Sequence, residues 1–314
     1  MDDWSIDKIL EMFTDEDYDV IDKLLMEGIE KYPEDKLPNT VYHYTSTIGM
    51  KGILNDNSIW LTHYKYLNDS SEREYTYRLL RECLEKNSKK NDREFYEEAM
   101  KCIYDKDILK TRRVYKGLYQ LKDYYVASFS RSKDSLSLWN YYTKNVDKTG
   151  YNIRFKLPLL KEALKGKKVI AYKVIYDVKK QKERLFLLIN AFNTAWHSKC
   201  EDYFSKLLMS LFVEIVDGIS MYFKHPAFRE EQEVRLIYED TNEDNCEYKF
   251  REMSGIMVPY IEMKFNPKCV EGIGISPTQR DELACEGIYK FLQYKGYLHV
   301  KRNDIVISSI PLKY

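Results

Sequence analysis

Residues 256–275 read Ile256-Met257-Val258-Pro259-Tyr260-Ile261-Glu262-Met263-Lys264-Phe265, then four residues, then Val270-Glu271-Gly272-Ile273-Gly274-Ile275. β-Branched and aromatic residues crowd both stretches, and Asn266-Pro267 breaks the chain between them, so the pattern predicts strand following strand. The same holds upstream, where residues 233–238 and 247–253 are strand-like. A helix over 281–294 and a closing strand over 298–308 complete the last third. Strands in direct succession, without regular βαβ alternation, predict an α+β fold.

Working outward, Val41-Tyr42-His43-Tyr44 suits a strand, and Ser46 can cap a helix carrying Ile48, Ile53 and Leu54. Asn55-Asp56-Asn57 reads as a turn before a second strand at Ser58-Ile59-Trp60-Leu61. Further strands are expected over 124–130, 150–155 and 168–177, and a short helix over 135–142. Asp69 with Glu72 opens a charged helical region broken near 87–91 and running towards 121, and a second helical region covers 181–223. Two short helices are expected within 5–33, with Pro33 and Pro38 bounding a linker. The expected organisation is a helical extension over 1–38 and one α+β domain over 39–314, with helical insertions near 70–121 and 181–223.

The 314 residues include 50 Lys+Arg against 50 Asp+Glu, so the net charge is zero and no global electrostatic argument for a nucleic-acid binder exists. At 44% hydrophobic and 32% charged, the chain is not wholly disordered. Its 28 tyrosines fit either a polar-lined cleft or the codon bias of an AT-rich genome. The most apolar window, 207–223, is broken by Glu214 and Asp217, so no membrane span is expected. Six scattered cysteines and an acidic start, Met1-Asp2-Asp3-Trp4, suggest reduced thiols in a cytoplasmic protein. Oligomeric state leaves no trace in the sequence.

Most familiar chemistries lack their motifs. Gly272-Ile273-Gly274 has no third glycine and lies within a strand-like run, so it is not a dinucleotide fingerprint. The five histidines are too dispersed for a local metal signature, and no metal is predicted. Three features remain. His43, in Tyr42-His43-Tyr44-Thr45, could contact a ribose or phosphate at a helix start, or simply satisfy a turn. Ser128 and Ser130 share one strand face, where two hydroxyls could orient a sugar or merely cap the strand end. In Glu231-Gln232-Glu233-Val234-Arg235, period two places Glu231, Glu233 and Arg235 on one face. Such a row suits a cleft rim stabilising an oxocarbenium-like centre, or an ordinary ion pair.

Taken in order, these motifs resemble a bacterial family defined only as a domain of unknown function. The matching residues are His43-Tyr44-Thr45, Gly52-Ile53-Leu54, Trp60-Leu61, Asn68-Asp69 with Glu72, Phe129-Ser130, Trp139 with Tyr142, and Glu231, Glu233 and Arg235. The resemblance runs from about residue 40 to Ser309-Ile310-Pro311. That family is in turn distantly similar to ADP-ribosyltransferases. The similarity implies a mixed or split β-sheet core and NAD as a substrate. It implies His43, Tyr44 and Thr45 at the adenosine-side ribose, Ser128 and Ser130 organising the cleft, and Arg235 beside them. Glu233 would be the catalytic carboxylate, with Glu231 positioning a protein or nucleic-acid acceptor. Trp60, Tyr64, Trp139 and Tyr142 are the candidates to stack on nicotinamide. The expected function is an intracellular ADP-ribosyltransferase or NAD glycohydrolase of the defence or toxin type. A metal-independent nuclease or hydrolase, or a nucleotide sensor without turnover, are the alternatives.

Overall fold

The computed structural model describes residues 37–67, 71–88, 93–104, 123–142, 149–164, 169–198, 202–240, 247–279 and 281–311. The expected helices within 5–33, Asn68, Asp69, the stretch 105–122, Cys200, Cys246 and the side chain of Tyr142 lie outside the described part. The protein is α+β, with α-helices and a mixed ten-stranded sheet. It divides into two compact units.

The sheet unit comprises Lys36–Leu67, Asp123–Val174 and Ala227–Tyr314. Its strands are β1 (Thr40–Thr45), β2 (Ser58–His63), β3 (Asp123–Ser130), β4 (Tyr151–Lys156), β5 (Val169–Lys173), β6 (Glu233–Asp240), β7 (Tyr248–Met253), β8 (Ile256–Lys264), β9 (Val270–Ile275) and β10 (Ile305–Ile307). Strand β3 is the spine. All eight of its residues pair antiparallel with β6, which carries β5 on its far edge. The other edge of β3 forks, because Ser130 pairs with Tyr42 of β1 while Val126 and Tyr125 pair with Thr62 and His63 of β2. One limb continues β1-β4-β9-β10 and the other β2-β8-β7, and among the described strand pairs only β9–β10 is parallel.

Alternation explains how both limbs and the spine share one core. Val41, Ile59, Leu61, Ala127, Phe129, Ile153, Phe155, Val234, Leu236, Ile261 and Met263 join one buried cluster, so one face of each limb and of the spine is core. Helix α1 (Thr47–Asp56) adds Met50 and Leu54 to it. Its Ser46 cap accepts the Gly49 amide at 3.1 Å, and Asn57 ends it in the left-handed region.

The C-terminal helix of this unit, Glu282–Tyr294, starts where the Asp281 carboxylate accepts the Leu283 amide at 2.8 Å. It stops at Gly296, φ +84, where Tyr297 N–H donates to Leu292 O and Gly296 N–H to Gln293 O. That double bond pattern needs a left-handed residue, which glycine supplies without strain. The closing strand expected over 298–308 shrinks to β10. Asp304 accepts the Lys301 amide at 2.9 Å and closes a 3-10 turn just before it.

The helical unit holds the described parts of Asn68–Lys122 and Ile175–Pro226. Its helices are α2 (Ser71–Ser88), α3 (Arg93–Tyr104), α6 (Val178–Ser198) and α7 (Asp202–Ser220); between α3 and α6 in the chain come α4 (Leu136–Tyr142) and α5 (Leu157–Ala163), both in the sheet unit, and α8 is the C-terminal helix just described. Phe192 and Phe95 both pack on Phe212, with ring centroids 5.1 and 6.3 Å away. Polar pairs lock the bundle: Arg73 donates to both carboxylate oxygens of Asp217, and buried Lys224 pairs with buried Glu72 at 3.2 Å. No helix among the described residues is long and apolar enough to cross a membrane.

Candidate functional site

Residues directly opposite in an antiparallel pair project from the same face. The registers Gly272–Arg154, Arg154–Tyr42, Tyr42–Ser130 and Ser130–Glu233 therefore draw one row across five strands on the face away from the core. A second row joins Gly274, Asn152 and Tyr44, and a third joins Ser128, Arg235 and Tyr172. Of the residues expected at the site, Tyr44, Ser128, Ser130, Glu233 and Arg235 share this outer face. His43 and Thr45 alternate onto the core face with Val41.

Glu233 and Arg235 form a buried, two-pronged ion pair, Arg235 Nε and Nη2 donating at 2.8 and 2.9 Å, with the side chains 6% and 2% exposed. Ser130 donates to the Glu231 carbonyl at 2.6 Å and accepts the Ser132 amide at 2.9 Å, so its hydroxyl anchors the chain on both sides. Glu231 does not extend the strand, contrary to the period-two expectation. It ends a 3-10 segment, Pro226–Glu231, and Gln232 at φ +44 turns the backbone before β6 begins. A left-handed residue resets the alternation, so Glu231 leaves the row of Glu233 and Arg235.

His43 Nδ1 lies 2.9 Å from the Ser128 carbonyl, which can only accept, so Nδ1 carries the proton. Its ring is 5.4 Å from that of Phe129. The residue keeps some exposed surface, yet the ring is packed closely enough for desolvation to hold its pKa below the ordinary histidine value, against the opposing pull of the Ser128 carbonyl. Thr45 is buried against Gly49, whose absent Cβ would lie 2.1 Å from the Thr45 hydroxyl.

Tyr44 and Trp139 meet edge to face, centroids 4.7 Å apart, and both are buried. The Tyr44 hydroxyl donates to Ser132 O and accepts the Ser135 amide, and burial raises its pKa. Trp139 Nε1 donates to Asp134 at 2.6 Å, and the same carboxylate accepts Ser308 Oγ at 2.6 Å and the Ser309 amide at 3.1 Å. Asp134 thus pins α4 to the segment after β10. Asp134→Ala should cost about 1–3 kcal/mol, read by urea denaturation, with Asp134→Asn recovering part of it. An unchanged midpoint in the alanine variant would show that the pin carries no stability.

Beside the Arg154 end of the row lies a small open recess lined by Tyr42, Lys133, Asn152, Arg154, Asp304 and the Gly274 backbone, among others. The two glycines of β9 leave clearance for Arg154 and Asn152, which line it. A Cβ on Gly272 would stand 2.3 Å from the Asp304 carbonyl and 2.8 Å from Arg154 Nη2, and one on Gly274 2.4 Å from Asn152 Oδ1. Arg154 lines it, donating to the Glu271 carbonyl at 2.9 Å and to Asp304 at 3.3 Å, and remains 24% exposed. Asn152 is buried and donates to the Lys133 carbonyl at 3.0 Å. Burial raises the Tyr42 pKa, and the nearby Arg154 charge opposes it. Asn152 and Arg154 were not singled out in the sequence, and the glycine pair was noted there only as not being a dinucleotide fingerprint. Their signal was present: Tyr151-Asn152-Ile153-Arg154-Phe155 alternates, and Gly272 and Gly274 are spaced by two.

Among the described residues, no three or more His, Cys, Asp or Glu side chains gather as a metal site would require. No curated protein and no solved structure matches the chain. Residues 138–236, from within α4 into β6, match a family described as a protein of unknown function, DUF2971; the matched span includes Trp139, Glu233 and Arg235 but not His43.

Proposed function

We propose that the protein binds NAD or a related dinucleotide on the outer sheet face at the fork, and turns it over by ADP-ribosyl transfer to a macromolecular acceptor or by hydrolysis. One observation supports this best: a hydroxyl, a carboxylate and a guanidinium lie in a single row, Ser130, Glu233 and Arg154, and the Arg154 end of that row lines a small open recess. A dinucleotide needs an anion-complementing cation and polar groups for its ribose, and cleavage needs a carboxylate near the sugar carbon. With His43 on the core face, the ribose and phosphate contacts fall in this proposal to Asn152 and Arg154.

A second reading, binding without turnover, is favoured by the geometry of Glu233. Arg235 sits across both its oxygens, and that positive charge offsets the field an oxocarbenium-like sugar would need. Both readings expect saturable binding of NAD by calorimetry, weakened about tenfold or more by Arg154→Met, since an ionic hydrogen bond to phosphate is lost. Nicotinamide release separates them. A wild-type chain that shows no heat with NAD and no nicotinamide would remove both.

A further inference from the structure

On the other limb of the fork, the outer face presents Trp60 and Thr62 of β2, Tyr260 and Glu262 of β8, and Lys249 and Arg251 of β7, as their registers require. Trp60 stacks on Tyr260 at 4.3 Å between centroids, and it is 40% exposed. The Arg251 guanidinium lies 5.6 Å from the Trp60 ring centre. Such a cation–π contact holds the group in place without consuming its N–H donors. Arg251 Nη2 donates to the Thr62 hydroxyl at 3.0 Å. Its Nε is buried and has no hydrogen-bond partner.

The carboxylate that could neutralise this arginine is engaged elsewhere. Glu262 accepts from both Lys249 and Lys264, and those bonds, Lys249 first, pull its pKa down to about 2. Among the described residues Arg251 makes no ion pair. Two lysines therefore occupy the Glu262 carboxylate, and the third cation of the patch, Arg251, keeps an N–H with no hydrogen-bond partner. A buried donor left without an acceptor is costly and calls for an explanation, of which a bound ion is one.

We propose that Arg251, Thr62 and the Trp60–Tyr260 stack form an oxyanion-binding site, taking a phosphate or carboxylate group on the free edge of the guanidinium. Arginine's fixed fork suits two oxygens of either group. The site uses none of the residues of the Glu233 row, so it stands whether or not NAD binds there.

The test titrates the full chain, in low-salt chloride buffer, with inorganic phosphate, acetate and AMP, with adenosine as the uncharged comparison. The expected result is a saturable heat, with a change in tryptophan fluorescence, for at least one anion and none for adenosine. Arg251→Met should weaken that binding about tenfold or more, because a charge-assisted pair is lost. Its melting temperature without anion should stay close to wild type, since the lost group is poorly satisfied. Trp60→Phe should abolish the fluorescence change while the heat persists. Arg251→Lys, which keeps the charge without the fork, should bind more weakly than wild type and decides the matter if the methionine variant does not fold. Response to phosphate and AMP assigns the site to phosphates, and response to acetate alone assigns it to carboxylates. No saturable response to any anion, or equal binding by wild type and the Arg251 variants, overturns the proposal.

Discussion

Glu233→Gln will lower the stability of the sheet unit by about 3 kcal/mol, because the change removes the negative charge that faces a buried guanidinium. The Arg235 side chain is only 2% exposed, so little water reaches its charge. At roughly 2–4 °C per kcal/mol for a domain of this size, the melting temperature should fall by about 6–12 °C. Arg235→Gln should cost a similar amount, and the double variant clearly less than the sum, because residues in one network do not act additively. Additive losses would show that the pair, despite its geometry, is not energetically coupled. Activity then reads a separate quantity. If the chain cleaves NAD with Glu233 as the stabilising carboxylate, kcat should fall about 100- to 1000-fold with little change in KM. If it binds without turnover, only the stability changes.

Gly272→Ala is the second large effect. Its new methyl would meet a backbone carbonyl, Asp304 O, at 2.3 Å, and backbone cannot swing aside as a side-chain tip can. The β9–β10 pairing and the Arg154 bond to Glu271 O would have to shift together, at a cost of about 1–3 kcal/mol. Gly274→Ala meets the Asn152 amide and should cost less, since a side chain can yield at the loss of one hydrogen bond. Gly287→Ala, within α8, finds nothing within 4 Å and should gain about 0.5–1 kcal/mol from helix propensity. Denaturant midpoints of the three variants check the order. A Gly272→Ala protein as stable as the parent would mean that the two strands slide freely.

Local pattern made much of this legible. The bounds expected for β9, the Ser46 cap and the helix opening at Asp281 depend on neighbouring residues only, and each stands within a residue of its expected place. What depends on pairing was not legible. His43 and Ser130 each sit on a readable alternating strand, but which face of β1 aligns with which face of β3 depends on the single register Tyr42–Ser130, a contact between residues far apart in sequence. That register sends His43 to the core side. Glu231 left its row for a different reason. Gln232 adopts φ +44 without being the glycine or asparagine that announces such a turn. The Gly-Ile-Gly of β9 was visible, yet its role as clearance for Arg154 and Asn152 needs the β4 register to appear.

The spine strand has a consequence for the birth of the protein. Strand β3 pairs with β1 and β2, both made before it, but its eight-residue partnership with β6 waits until residues 233–240 emerge. At the usual rate of synthesis, that interval lasts on the order of ten seconds. Throughout it, the edge of Tyr124-Tyr125-Val126-Ala127-Ser128-Phe129 that β6 covers in the folded protein awaits its native partner. Nascent chains are therefore most prone to misassociation in that window, and a ribosome stalled between β5 and β6 should yield an aggregating or chaperone-bound intermediate, whereas one stalled after β10 should not.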